Sequence, residues 1–86
     1  MKVVFRKFNN NGEIIALFPE TYYGASRYVS SYMHIGQHGD ADYHGCIRIS
    51  KPATPIEYGP LLKELKSIGY DNLRIVKKSK LSCVEV

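Results

Sequence analysis

The three histidines of this chain, His34, His38 and His44, fall within eleven consecutive residues that also carry Asp40 and Asp42, two of its three aspartates. Imidazoles and carboxylates bind metal ions and move protons near neutral pH, and Gly36 and Gly39 permit turns that let such groups converge. The spacing of His34 and His38 recurs in zinc sites, with Asp40, Asp42, His44 and Cys46 as further donors in reach. A structural zinc site normally adds a close cysteine pair, which is absent, and Gly36 disfavours a helical two-histidine platform. His34 and His38 are therefore weak metal candidates only, and no cofactor is expected. A hydrolytic site would need two histidines as acid and base, an aspartate to orient one of them, and a cation such as Arg48 to steady a phosphate. The residue types suffice for this, but the chain has no glycine-rich phosphate loop, nucleophile elbow or paired-carboxylate motif. A domain this small also has little room for a deep pocket. The reading leans away from an enzyme and assigns no catalytic residue.

The chain has 86 residues, enough for one core, so residues 1–86 are read as a single domain. Its hydrophobic fraction of 44% argues for a folded chain. Twelve Lys and Arg against eight acids give a net charge of +4, densest at Lys77, Lys78 and Lys80. This balance permits an anionic partner but equally describes ordinary solvation. Cys46 and Cys83 belong to no Cys-x-x-Cys pair, and the first residues show neither a signal-peptide pattern nor a membrane span. A cytoplasmic location, no membrane association, and a Cys46 packed as a small apolar side chain are expected.

The elements that must position these groups read as follows. Val3 to Phe8 and Glu13 to Phe18 are β-rich, and Asn9-Asn10-Asn11-Gly12 between them predicts a hairpin. Ile14, Ala16 and Phe18 alternate with Ile15 and Leu17, so the second strand is apolar on both faces and belongs inside a sheet. Pro19 is expected to end it, and a turn is expected from Pro19 to Ser26. From 28 to 35, Val29, Ser31, Met33 and Ile35 alternate with Tyr28, Ser30, Tyr32 and His34, a third strand with a more polar face. A polar connection with His38 in a glycine-flanked turn leads to a short fourth strand, Cys46 to Ser50, with Ile47 and Ile49 on one face and Arg48 on the other. Thr54-Pro55-Ile56-Glu57 is a capping box with proline at the first helical position. Tyr58, Leu61, Leu62, Leu65 and Ile68 form the apolar stripe of that helix, and Gly69 stops it. Gly59-Pro60 is discordant and predicts either a kink or a first turn distinct from a main helix beginning at Pro60. A last strand follows from Leu73 to Lys77 or Lys78, and residues 79–86 form either a loose tail or an edge strand.

The order β-β-β-β-α-β predicts an α+β domain, a mostly antiparallel sheet of four or five strands with one helix on one face. The other face is then uncovered and available to a partner, a second copy or a ligand, with Tyr28, Tyr32 and Arg48 on it. Nucleic acid is an alternative partner, bound by Tyr28, Tyr32, Phe5 and Phe8 as stacking platforms among Arg6, Arg27 and Arg48. No RNA-recognition aromatic signature accompanies them.

Four segments, Val3 to Phe8, Ile14 to Glu20, His34 to Tyr43 and Lys51 to Tyr58, carry the patterns VVFRKF, IIALFPE, HIGQHGDADY and KPATPIEY. Together they resemble a family of small uncharacterised proteins of gut Bacteroidales, their mobile elements and crAss-like phages. The likeness runs over most of residues 3 to 78 and carries no activity. It implies that the Gly36-to-Gly39 segment and the helix start belong to a family pattern, that His44 and the tail are peripheral, and that Gly59-Pro60 departs from it. A phage or mobile-element setting suits a small accessory protein, by analogy. The leading expectation is a non-enzymatic binding or accessory protein that meets a protein partner or another copy of itself. Its expected contacts are His34, Gln37, His38, Asp40, Asp42, Tyr43, Tyr28, Tyr32 and Arg48.

Overall fold

The computed structural model describes residues 2–22, 28–33 and 37–77, with the side chains of residues 21, 22, 28, 37, 38 and 40 outside that description. The predicted hairpin forms from β1 (Lys2–Phe8) and β2 (Ile14–Tyr22), antiparallel in a register that sets Val4 opposite Leu17 and Lys7 opposite Ile14. Its turn is closed by the Gly12 amide donating to the Phe8 carbonyl and the Phe8 amide donating to the Glu13 carbonyl, both at 2.9 Å. Gly12 takes φ +75°, a conformation that residues with a Cβ adopt at a cost. Pro19 does not end β2. The ladder to the next strand shifts register between Phe18 and Tyr22, and the proline sits buried in that irregularity, where its missing N–H costs no regular ladder bond.

β3 (Tyr28–Met33) pairs with β2, and β4 (Gln37–Asp42) pairs with β3, both antiparallel. The predicted turn around His38 is thus a strand, corrected by a continuous backbone ladder from Met33 opposite Gln37 to Tyr28 opposite Asp42. Pairing overrides the poor strand propensity of Gly39, Asp40 and Asp42. The predicted fourth strand at Cys46 to Ser50 is instead a helix, α1 (Tyr43–Arg48), followed by a three-residue strand β5 (Ser50–Pro52). Tyr43, Cys46 and Ile47 follow the i, i+3, i+4 helical spacing, and all three pack against one apolar cluster. That periodic burial outweighs the strand preference of Ile47 and leaves Ile49 55% exposed.

Helix α2 (Pro55–Ser67) begins as predicted: Thr54 Oγ1 accepts from the Glu57 amide, and Glu57 Oε1 accepts from the Thr54 amide at 2.8 Å. It is a single helix from Pro55, so Pro60 lies inside it rather than opening a second one. The chain leaves it through Gly69 at φ +112°. The final strand, β6 (Arg74–Val76), lies parallel to β1.

Among the described residues the sheet has six strands and runs β4-β3-β2-β1-β5, with β6 also on β1. One main helix on a mostly antiparallel sheet makes this an α+β domain, and β2 is interior as its two-sided apolar pattern requires. Val3, Phe5, Ala16, Phe18 and Tyr32 form the core under Leu61 and Leu65 of α2. Phe5 stacks on Tyr58 with ring centroids 4.4 Å apart, and Phe18 on Tyr70 at 5.2 Å. The opposite face does not lie open. Val4, Ile15, Leu17 and Val29 pack with Tyr43, and Val4, Leu17 and Val29 have no exposed surface. Helix α1, absent from the predicted element order, supplies that second cover.

Candidate functional site

The alternation of β3 is as read from sequence, but its more polar face is not the wet one. Val29 and Met33 belong to the cluster under α1, while Tyr32 is 1% exposed in the cluster under α2. Its ring supplies apolar area, and its hydroxyl donates to Glu64 Oε2 on α2, which is how a buried tyrosine satisfies its polar end. Tyr32 is therefore a core residue and not a surface contact. Tyr43 is likewise buried, at 2%, with its ring edge-on to that of the exposed His44. Arg48 is exposed in the last turn of α1.

Four other predicted residues are carried by one short strand. The β3–β4 register puts Gln37 opposite Met33, His38 opposite Tyr32, Asp40 opposite Ser30 and Asp42 opposite Tyr28. Among the described residues β4 has one hydrogen-bonded neighbour, β3, and forms the end of the sheet. Ala41 packs towards the α1-side core, and Gly39 accepts at its carbonyl from Ser31 Oγ at 3.1 Å, so two β4 residues tie it to the domain. Asp42 is exposed at the start of α1, and its carboxylate overhangs the first turn so closely that a Cβ placed on Gly45 would meet Oδ2 at 2.7 Å. Burial first, and then the Asp42 charge, push the Cys46 thiol above its ordinary pKa, which keeps it protonated and unreactive. His34 lies outside the described residues, as do Arg27, Cys83 and the tail at 79–86.

Among the described residues no three His, Cys, Asp or Glu side chains gather where one metal ion would be held. The stacking surface for nucleic acid loses three components: Phe5 and Tyr32 are interior, and Arg6 is 6% exposed. No helix among the described residues is long and apolar enough to cross a membrane.

Two features went unseen in the sequence. The Arg6 guanidinium donates to Ser50 Oγ and the Ile47 carbonyl at 2.9 Å and to the Ser50 carbonyl at 2.7 Å, clamping α1 and β5 to β1. The i, i+3, i+4 spacing of Tyr43, Cys46 and Ile47 was the signal for the helix that Arg6 holds. The second feature is a break in the cover of β1. Strand β5 pairs with Arg6 to Phe8 and β6 pairs with Lys2 to Val4, so Phe5 falls at the junction of two short partners. A cleft of about 270 Å³ opens there between β5, α2 and β6. No protein-family model, curated protein or solved structure matches this chain.

Proposed function

We propose that this chain is a small non-enzymatic binding protein that acts through the outer edge of β4, and that its simplest partner is a second copy of itself. The observation that carries this reading is that, among the described residues, Gln37–Asp42 stands at the end of the sheet, bonded on one side to β3. An edge strand offers backbone donors and acceptors to an added strand, and side-chain pairing then sets register. The sequence Gln37-His38-Gly39-Asp40-Ala41 is self-complementary in one antiparallel register. With Gly39 opposite Gly39 across a two-fold axis, His38 of each copy meets Asp40 of the other, twice per interface. The covered sheet faces favour this edge over the face-on contact expected from the sequence. An accessory role is in keeping with the resemblance of residues 3 to 78 to small proteins of mobile elements and phages.

The test is dilution. Amide spectra recorded from about 1 mM to 20 µM, a range that brackets weak edge pairing, should shift at residues 37–42, with a parallel fall in mass by light scattering. Asp40→Lys, which removes the carboxylate set opposite His38 and puts two new cations into the interface, should remain folded by circular dichroism and monomeric throughout. A parent chain that is monomeric across the range, with unmoved β4 amides, defeats the proposal.

A further inference from the structure

The cleft beside Phe5 has the composition of a ligand site. Its floor and walls are apolar, from Phe5, Pro52, Ala53, Tyr58 and Ile75, and Lys77 lies at its rim. At about 270 Å³ it is close to the lower end of small-molecule pockets, which run from about 300 Å³. It exists because β1 has seven residues while the strands on its outer side have three each, so neither reaches over Phe5. The Ala53 amide closes on the Phe5 carbonyl at 3.1 Å and turns the chain into α2, which prevents β5 from filling the gap.

Among the described residues lining the cleft, the charged one is Lys77, exposed at the rim. The carboxylate on the adjoining turn of α2, Glu57, is already engaged by Lys7 Nζ at 2.6 Å and by the Thr54 amide. An apolar slot beneath an exposed lysine is complementary to a molecule with an apolar body and an anionic head. We infer that the cleft between β5, α2 and β6 binds a small apolar carboxylate, its aryl or short acyl body against Phe5, Tyr58 and Ile75 and its carboxylate at Lys77. This site is separate from the β4 edge, and its test does not depend on self-association.

Three probes divide the contributions: 4-phenylbutyrate, the matched alcohol 4-phenylbutanol, and acetate. In amide-resolved titrations of the full chain, phenylbutyrate should give saturable shifts at Phe5, Ala53, Ile75 and Lys77. The alcohol should shift the same amides with about five-fold lower affinity, in keeping with the loss of one exposed charge pair, and acetate should not saturate. Lys77→Gln, at an exposed position, should erase the difference between acid and alcohol while leaving alcohol binding intact, and Ile75→Gln should weaken both. Equal affinity for acid and alcohol in the parent overturns the inference. So do saturable shifts that map away from the cleft, or cleft amides that already move on dilution without ligand, which would make the cleft a contact between copies.

Discussion

Gly59 and Pro60 are coupled, and the coupling predicts a change of sign. Pro60 lies inside α2, where it removes the hydrogen bond to the Ile56 carbonyl, and a helix-interior proline costs about 3 kcal/mol relative to alanine. Ile56 is 90% exposed, so water can serve the freed carbonyl. Pro60 is exposed too, and Pro60→Ala should therefore stabilise by about 1–3 kcal/mol, reduced somewhat by the greater freedom of the unfolded chain. A residue before proline is driven out of the helical region by contact of the proline Cδ with its backbone N–H and with its Cβ, and the second contact is the one glycine lacks. Glycine has no Cβ, and Gly59 is what allows the helix to run on. A Cβ at Gly59 meets nothing within 4 Å beyond its chain neighbours, so space elsewhere is no obstacle. In the Pro60→Ala background, Gly59→Ala should add the usual helix-interior gain of about 1 kcal/mol. In the parent, the same change should give no gain or a loss of up to about 2 kcal/mol as the new methyl crowds the proline ring. Urea unfolding of the four chains measures the cycle, and the coupling should be at least about 1 kcal/mol. If Gly59→Ala stabilises both backgrounds equally, the account of how α2 passes its proline is wrong.

Arg6→Met keeps the apolar stem but withdraws three hydrogen bonds from a charged donor, leaving the Ile47 and Ser50 carbonyls to find others. A loss of about 2–4 kcal/mol is expected in urea unfolding, with faster amide exchange in α1, and an unchanged α1 would remove Arg6 from its anchoring role. Tyr32→Phe should cost about 1 kcal/mol by deleting the bond to Glu64 while preserving the packed ring, against about 3–5 kcal/mol for Tyr32→Ala. The Lys7 hydrogen bond, helped by the Thr54 amide, holds Glu57 down at a pKa of about 2, below its ordinary 4.5. Its contribution is therefore complete above pH 4.5 and is lost as pH falls towards 2; a carboxylate titration by NMR should show the low value, and Glu57→Gln should remove that part of the acid dependence.

Long elements with their own periodicity were legible in the sequence. The β1–β2 hairpin has a glycine at the positive φ its turn requires, β2 has apolar residues on both sides because it lies mid-sheet, and α2 has its cap, stripe and stop. What escaped were elements of three to six residues held by tertiary contacts. Strand β4 contains no strand-favouring residue and exists through its ladder to β3. Helix α1 contains the poor helix formers Gly45 and Ile47, and is too short to persist without Arg6 and the core beneath it. Strand β5 exists only because β1 offers it an outer edge, the rest of which is taken by β6, the last strand the sequence did indicate. A single-residue property such as hydrophobicity cannot report a hydrogen-bond partner more than forty positions away, as Ser50 is from Arg6.

The same short elements decide where a partner can bind. A sheet with one helix would present a broad tyrosine-bearing face, which is the surface the sequence suggested. Once α1 is in place that face is closed, and Tyr32 is drawn under α2 by its ring and fixed by its hydroxyl. Of the expected contacts among the described residues, Tyr32 and Tyr43 are buried, Gln37, His38, Asp40 and Asp42 lie along β4, and Arg48 follows in α1. The candidate surface therefore contracts from a plane of side chains to a line of backbone groups with a few charges beside it. Affinity along such a line comes mainly from main-chain hydrogen bonds, and selectivity from register. For this reason a change of charge at Asp40, which the proposed register sets opposite His38, discriminates the edge reading better than truncating an aromatic residue.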